Sequence, residues 1–290
     1  MSVAVLDTGI DSGHEAFSEV SLLQKDFTGE GFQDDVGHGT HCAGTIFGQT
    51  VNGIRIGVAP GIELALIGKV LDRDGAGTTE SLCRGILWSV EQGANVISMS
   101  VGLDFPGFVD QLVSKGIPQK LAVSKALEAY VANVRLFDSL AAFVQARGAF
   151  GFGTVLIAAA GNASQRDQDP GFELVAEPPA ASRGFIAVAA LANTQSGQYK
   201  LAPFSNGGAD VAAPGVDVLS AKTGGGNCFM SGTSMATPHV AGIAALWAEH
   251  LLDTTGRINA DELSARILGT AERKGLTEGV GSGLVIAPIG

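Results

Sequence analysis

Short apolar runs, each followed by small or polar residues, constrain the fold of this chain more than any other feature of its sequence. Runs of this kind, with little polar alternation, are typical of strands buried on both faces of a parallel sheet. Residues 79–92, between the second and third runs, have helical spacing and predict a right-handed crossover. The sequence therefore predicts an α/β fold with a central, mostly parallel sheet. The five runs occupy residues 2–6, 64–70, 95–101, 154–160 and 185–191.

The composition supports a single domain over residues 1–290, since neither a linker nor an internal repeat interrupts the chain. Hydrophobic residues make up 46% of the sequence, which is ample material for a buried core. The 41 glycines among 290 residues are about twice the usual share. This excess indicates tight turns and close backbone approaches around a site.

Charge and cysteine usage exclude several classes of function. The net charge of −11, from acids scattered along the chain, argues against nucleic acid or an anionic membrane surface as a partner. The apolar runs are also too short to span a bilayer. The cysteines (Cys42, Cys83 and Cys228) are odd in number and lack zinc-ligand spacing. With no secretory signal before the first run, they favour a cytoplasmic over a secreted location.

Residues 231–239 (Ser-Gly-Thr-Ser-Met-Ala-Thr-Pro-His) are the strongest candidate for a reactive segment. Small residues before an Ala-rich run predict a tight turn that leads into a helix, with Thr233 or Ser234 near its N-cap. A serine hydroxyl there lies among backbone N–H groups that have no intrahelical partner. This environment suits a nucleophile that generates an oxyanion. From this segment alone, a simple helix cap explains the residues equally well.

Other segments offer the partners that such a serine needs. Asp7 follows the first apolar run, and His38 lies in the first turn of a predicted helix. A serine becomes nucleophilic when a base removes its proton, and an acid must orient that base. Asn162 follows the fourth run, and its amide could bind an oxyanion together with the Ser234 N–H. Taken singly, Asp7 fits a turn cap and His38 fits a structural histidine.

Four segments in this order resemble the signatures of the subtilisin-like serine peptidases (subtilases). The Gly-His-Gly-Thr-His-Cys form that ends at Cys42 is most similar to the proteinase K branch. The resemblance covers nearly the whole chain except about 103–150. It implies a three-layer subtilisin-like α/β fold with helices on both sides of the sheet. The segments are 7–11 (Asp-Thr-Gly-Ile-Asp), 38–41 (His-Gly-Thr-His), 159–162 (Ala-Ala-Gly-Asn) and 232–239 (Gly-Thr-Ser-Met-Ala-Thr-Pro-His).

The resemblance implies a role for each matching residue. Asp7, His38 and Ser234 would form the catalytic triad, and Asn162 would donate to the oxyanion. A substrate strand would lie between two segments as an added strand. The small, uncharged pocket residues imply a broad preference for apolar or aromatic side chains before the scissile bond. The implied substrate-binding residues are Gly75, Ala76, Gly77, Ser100, Val101, Gly102, Ala159, Ala160, Gly161 and Ala180.

The chain departs from the family in its N-terminal segment and in its calcium sites. Only six residues precede Asp7, and no pro-segment is recognisable. Catalysis by this family needs no cofactor. The family's strong calcium site looks lost, because the expected ligand positions carry Ala16 and Val51. A weak structural calcium site remains at Asp210, with carbonyl groups near Ala180.

Residues 103–150 exceed the family's usual segment at this place and predict a helical insertion. Apolar residues follow helical spacing over 127–144, whereas 105–107 (Phe-Pro-Gly) and 116–118 (Gly-Ile-Pro) predict breaks. The insertion follows the predicted substrate-binding segment directly. It could therefore form a flap or an association surface near the cleft. Alternatively, the insertion covers a part of the core that the short N-terminal segment leaves exposed.

The leading functional hypothesis is a serine endopeptidase that hydrolyses peptide bonds through an acyl-enzyme on Ser234. Its partners would be peptide or protein substrates and a pro-segment or inhibitor. The alternative is a catalytically silent scaffold of the same fold that binds peptides or a partner protein. A general esterase is a third option, although the nucleophile-elbow pattern is absent because Ala occupies position 236.

Overall fold

Strands and helices alternate along the chain in the computed structural model, which describes residues 1–148, 153–194, 197–273, 275–276 and 278–288. The strands are β1 (Ser2–Asp7), β2 (Ser21–Asp26), β3 (Thr50–Val51), β4 (Ile54–Arg55), β5 (Leu64–Lys69), β6 (Val96–Met99), β7 (Val155–Ala159), β8 (Phe185–Asn193), β9 (Tyr199–Leu201), β10 (Val211–Pro214), β11 (Val218–Ala221) and β12 (Asn227–Met230). The helices are α1 (His38–Phe47), α2 (Thr79–Glu91), α3 (Phe105–Ser114), α4 (Gln119–Gly148), α5 (Thr233–Thr255) and α6 (Ala260–Gly269), with a 3-10 turn at Glu15–Phe17.

The central sheet has the strand order β10-β8-β7-β6-β1-β5-β2, and β9 pairs with β8. Every pair in it is parallel except β8 with β9. Parallel neighbours end at the same edge of the sheet, so β1, β6 and β7 deliver their following residues to one place. That edge carries the site.

Alternating side chains divide the core into two layers. Val3 and Val5 of β1 face a cluster that contains residues of α1, α5 and α6. Ala4 and Leu6 face the opposite cluster, which contains residues of α2 and α4. This follows from the two-residue period of a strand. The predicted three-layer α/β arrangement is confirmed.

Each of the five apolar runs contains a strand of the central sheet, as predicted. The prediction missed β2, because this edge strand is alternately exposed and half-buried and has no apolar run. Residues 218–221 form β11, which lies outside the central sheet and pairs with β12 in a separate two-stranded sheet.

The insertion is helical, as predicted, but its first half differs from the expectation. Residues 105–107 were expected to break the chain, whereas α3 begins at Phe105. Pro106 costs no hydrogen bond in the first helical turn, and the side chain of Asp104 accepts from the Gly107 N–H at 2.9 Å. Residues 149 and 150, at the end of the predicted insertion, lie outside the described residues.

The insertion contributes both to the core and to the wall of a cleft. Phe137, Ala141 and Val144 of α4 are buried in the α2-side cluster. The outer face of α4 exposes Leu127 and Phe143, and the predicted association surface stays a prediction. No helix within the described ranges combines the length and the apolar character needed to cross a membrane.

We expect the two phenylalanines of α4 to differ sharply in their contribution to stability. Phe137 is 2% exposed, whereas Phe143 is 51% exposed. Phe137→Ala should therefore lower the free energy of unfolding by about 3–5 kcal/mol through lost burial and a cavity. Phe143→Ala is the matched control and should change it by less than about 0.5 kcal/mol. Urea unfolding followed by circular dichroism measures both. Equal values would show that α4 does not cover the core.

Candidate active site

Asp7 and His38 form a direct pair at the edge of the sheet. The Asp7 Oδ1 atom lies 2.7 Å from His38 Nδ1 and also accepts from the Thr8 N–H at 2.7 Å. Asp7 is 1% exposed, and its Oδ2 atom has no hydrogen-bond partner among the residues that the structure describes. The imidazole keeps a quarter of its surface exposed. With Nδ1 held by the acid, Nε2 is the nitrogen left for another partner.

A buried network that the sequence analysis missed fixes this pair. Asp34 accepts from Thr8 Oγ1 at 2.8 Å and from the backbone N–H groups of Gly37 and Thr40 at 2.8 Å each. It thereby caps the helix that begins at His38. Burial raises the pKa of Asp34, but these hydrogen bonds outweigh it and hold the pKa below its usual value. An acid four residues before a predicted helix start was the available signal.

Glycine at position 39 allows the helix to approach the loop that carries Asp7. A Cβ atom at Gly39 would collide with the carbonyl oxygen of Gly9 and would lie 3.2 Å from Asp7 Cβ. The loop is also held by the buried Lys69, whose ammonium group donates to the carbonyl oxygen of Thr8 at 2.8 Å. The Asp7–His38 distance thus depends on a close backbone contact.

The charge of Asp7 controls the protonation of His38. Burial by itself lowers the pKa of His38, but the charge of Asp7 and its hydrogen bond outweigh this and hold the pKa well above the usual value. The site therefore stabilises the protonated, imidazolium form of His38. A general base needs this stabilisation, because it becomes protonated during the reaction.

Ser234 is the second residue of α5, and a proline one turn later determines its surroundings. Pro238 lacks the N–H that would bond to the Ser234 carbonyl oxygen in a regular helix. That oxygen instead accepts from Ser100 Oγ at 2.8 Å and from Cys42 Sγ at 3.4 Å. The hydroxyl of Ser234 in turn donates to the Ser100 carbonyl oxygen at 3.4 Å. Ser100 therefore holds the backbone of Ser234 and contacts its hydroxyl.

Cys42 connects the serine and the histidine. Its Sγ atom lies 3.9 Å from His38 Nδ1 and 3.4 Å from the carbonyl oxygen of Ser234. Burial raises the pKa of the Cys42 thiol, so the group is neutral at physiological pH. The structure thus brings the predicted acid, base and nucleophile around one buried thiol.

Asn162 is oriented by the turn that precedes Ser234. Its Oδ1 atom accepts from the Thr233 N–H at 2.8 Å and from Thr233 Oγ1 at 3.0 Å. Since a backbone N–H can only donate, this contact identifies the oxygen and leaves the NH₂ group for another acceptor. A Cβ atom at Gly232 would lie 3.6 Å from both Asn162 Nδ2 and Ser234 N. Glycine therefore leaves open the space that these two donors border.

A cleft of about 710 Å³ begins at His38 and contains most of the predicted substrate-binding residues. Residues 75–77 and 100–102 line it, as the strand-addition prediction requires. Residues of the insertion form part of its wall, namely Asp104, Gly107, Phe108, Gln111, Asn133 and Phe137.

The predicted pocket residues are placed differently. Ala159, Ala160, Gly161 and Ala180 are buried and do not line the open cleft. The peptide bond between Pro178 and Pro179 is cis and lies in a turn of the chain. The residue before this turn, Glu177, places its carboxyl group against Gly161, and the sequence analysis did not assign it a role.

Comparison with known proteins identifies the family. The profile of the subtilase family matches residues 1–283. The chain belongs to the subtilase family. It is 35% identical to the thermostable alkaline protease of Halalkalibacterium halodurans over 98% of its length and 66% of that protein. It is 32% identical to subtilisin DY of Bacillus licheniformis over 98% of its length and 88% of that protein.

Solved structures agree with this assignment of the fold. The prenylagaramide maturation protease PagA superposes with a TM-score of 0.69 at 26% identity and covers 99% of this chain and 90% of its own. Sphericase gives a TM-score of 0.68 at 29% identity over 93% of this chain and 82% of its own. The subtilase described here spans 66% of the alkaline protease and 56% of a thermophilic serine proteinase from Bacillus sp..

The metal-binding options of this subtilase are few. Within the described ranges, one group of three or more His, Cys, Asp and Glu side chains could hold a metal ion, and it consists of Asp7, His38 and Cys42. Ala16 and Val51, which the resemblance predicts to occupy the positions of the family's strong calcium site, are fully buried in the core. Asp210 accepts from the Ala187 N–H at 2.8 Å, and a weak calcium site there stays a prediction.

We expect the charge of Asp7 to determine the pKa of His38 in this subtilase. Asp7→Asn removes the charge but leaves the burial, so the pKa of His38 should fall below its ordinary value. His38 would then stay neutral to lower pH. Titration of the imidazole signals by NMR measures the shift. Asp35→Asn removes an exposed acid nearby and should leave the pKa almost unchanged. Equal shifts in both variants would contradict the assigned partner.

Proposed function

We propose that this subtilase is a serine endopeptidase that hydrolyses peptide bonds through an acyl-enzyme on Ser234. The observation that carries the proposal is the buried Asp7–His38 pair and its position relative to Ser234. The Sγ atom of Cys42 contacts both His38 and the backbone carbonyl oxygen of Ser234. The names of two relatives, a thermostable alkaline protease and a thermophilic serine proteinase, support the same reaction class. Peptides or proteins are therefore the proposed substrates, and a pro-segment or inhibitor is a proposed partner.

In the proposed acylation step, Ser234 Oγ attacks the scissile carbonyl carbon while His38 Nε2 takes the hydroxyl proton. Asp7 keeps Nδ1 protonated and stabilises the imidazolium that forms. The carbonyl oxygen becomes an oxyanion, which accepts from the Ser234 N–H and from Asn162 Nδ2. His38 then returns the proton to the leaving amine as the C–N bond breaks. A water molecule then attacks the acyl carbon while His38 Nε2 takes one of its protons, and His38 returns that proton to Ser234 Oγ as the ester C–O bond breaks.

We propose that substrates bind by strand addition between residues 75–77 and 100–102, both of which line the cleft. We also propose a broad preference for apolar or aromatic residues before the scissile bond, because Ala159, Ala160 and Ala180 are small and uncharged, although they lie behind the open cleft and do not line it. No cofactor takes part in the proposed chemistry. The three cysteines are all free, which fits the predicted cytoplasmic location.

Labelling with a fluorophosphonate tests the function directly. The wild-type protein should be labelled and should cleave an unstructured protein substrate, and Ser234→Ala should abolish both. Ser231→Ala is the matched control in the same turn, since Ser231 accepts from the Asp217 N–H and has no role in the proposed chemistry. A folded wild-type protein that shows no labelling would favour the alternative, a silent scaffold that binds peptides.

Two substitutions at Asn162 test the oxyanion assignment. Asn162→Ala should lower kcat by about 10²–10³-fold with little change in KM, because one donor to the oxyanion is lost. Asn162→Asp keeps an oxygen for Thr233 but has no N–H to donate, so its kcat should stay low. Steady-state kinetics on one peptide compares the three proteins. Wild-type turnover by Asn162→Asp would show that the residue acts only by holding Thr233.

A further inference from the structure

A buried acid lies between the end of β7 and the segment 100–102, which borders the proposed substrate site. The backbone N–H of Glu177 donates to the carbonyl of Ala160 at 3.0 Å. The carbonyl of the next residue, Pro178, accepts from the Leu103 N–H at 3.0 Å. These contacts fasten the Glu177 segment to the end of β7 on one side and to the residue after Gly102 on the other. Glu177 therefore lies between the end of β7 and the segment that follows Gly102.

The carboxyl group of Glu177 occupies the gap between two glycines. A Cβ atom at Gly161 would lie 2.7 Å from Glu177 Oε1, and one at Gly102 would collide with Glu177 Oε2. Gly161 also has a φ of 108°, which an L side chain rarely adopts. The two glycines therefore make room for the acid. Gly102 lines the cleft, so the carboxyl group of Glu177 lies directly behind this part of the cleft wall.

Few groups stabilise the negative charge of Glu177. Glu177 is 9% exposed, and its Oε1 atom accepts from Asn206 Nδ2 at 3.3 Å. Throughout the described parts of the chain, no Lys, Arg or His pairs with it, and no group donates to Oε2. Asp104, which also lines the cleft, adds a second negative charge. A buried carboxylate without a counter-charge is unfavourable, and a cation supplied by a ligand relieves this cost.

We propose that Glu177 is a specificity-determining residue that admits lysine or arginine before the scissile bond, in addition to apolar residues. The inference rests on the proposed peptidase function. An ammonium or guanidinium group on the substrate side chain would pair with Oε2, the oxygen that no described group binds. Glu177 contacts the substrate side chain and not the reacting atoms, so its effect falls on the choice between substrates.

Protonation of Glu177 should change this choice. Burial, and then the charge of Asp104, raise the pKa of Glu177 to about 7. Tyr130 of α4 also interacts with Glu177, and its pKa is raised by burial and by the charge of Glu177, so it stays neutral over the same range. Below about pH 7 the Glu177 carboxyl group is neutral and suits apolar residues. Above it, the carboxylate favours Lys and Arg.

The test uses two peptides that differ only in Lys or Leu before the scissile bond. The Lys/Leu ratio of kcat/KM should rise about tenfold between about pH 5.5 and about pH 8.5, since a new ion pair forms in a buried site. The ratio cancels the pH dependence of His38, which is common to both peptides. Glu177→Gln has nearly the same shape without the charge, and it should make the ratio low and independent of pH.

Controls separate this inference from the proposed function. Glu249→Gln removes an exposed acid of α5 and should keep the wild-type ratio and its pH dependence. Ser234-dependent cleavage of the Leu peptide with a ratio that responds neither to pH nor to Glu177→Gln would overturn the inference alone. A peptide with Ala at this position would overturn the inference too if its kcat/KM exceeded that of the Lys and Leu peptides at every pH. The carboxyl group would then only fill the gap between the two glycines. Absence of any Ser234-dependent cleavage would refute the proposed function instead.

Discussion

The parallel register of three neighbouring strands is the constraint on which the site depends. Leu6 of β1 pairs with Met99 of β6, and Met99 pairs with Ala158 of β7. The next residue of each strand therefore reaches the same edge, which places Asp7 beside Ser100. Asn162 follows on the loop after β7. A shift of one residue in any of these pairs would turn the side chains to the opposite face and separate the groups.

The serine is held by the same edge rather than by its own helix alone. A regular helix would use the Ser234 carbonyl internally, but Pro238 removes that bond and releases the oxygen to Ser100 and Cys42. The proline costs α5 little, because the released acceptor is fully satisfied elsewhere. The first turn of α5 is thereby tied to the end of β6 through Ser100 and to α1 through Cys42. The position of Ser234 and the stability of the fold thus depend on the same contacts.

The sequence was sufficient to predict the elements with strong local signals. The buried strands, α1, α2 and the segments that contain Asp7, His38, Asn162 and Ser234 all depend on apolar runs or short motifs. The edge strand β2 was missed because its alternating exposure gives no apolar run. The roles of Asp34, Ser100 and Glu177 were missed for another reason. Their partners are distant in sequence, and only the tertiary fold brings the donors and glycines around them.

Glu177 shows why a pocket cannot be inferred from the residues of one segment. The segment 159–161 contains only Ala and Gly, and this composition predicts a neutral pocket. The acid comes from the following loop, and the space for its carboxyl group comes from Gly102 and Gly161. Nearby Asp104 belongs to the start of the insertion, so the insertion contributes to the electrostatics of the pocket as well as to the wall of the cleft. The proposed specificity is therefore a property of three segments together, and the insertion takes part in it.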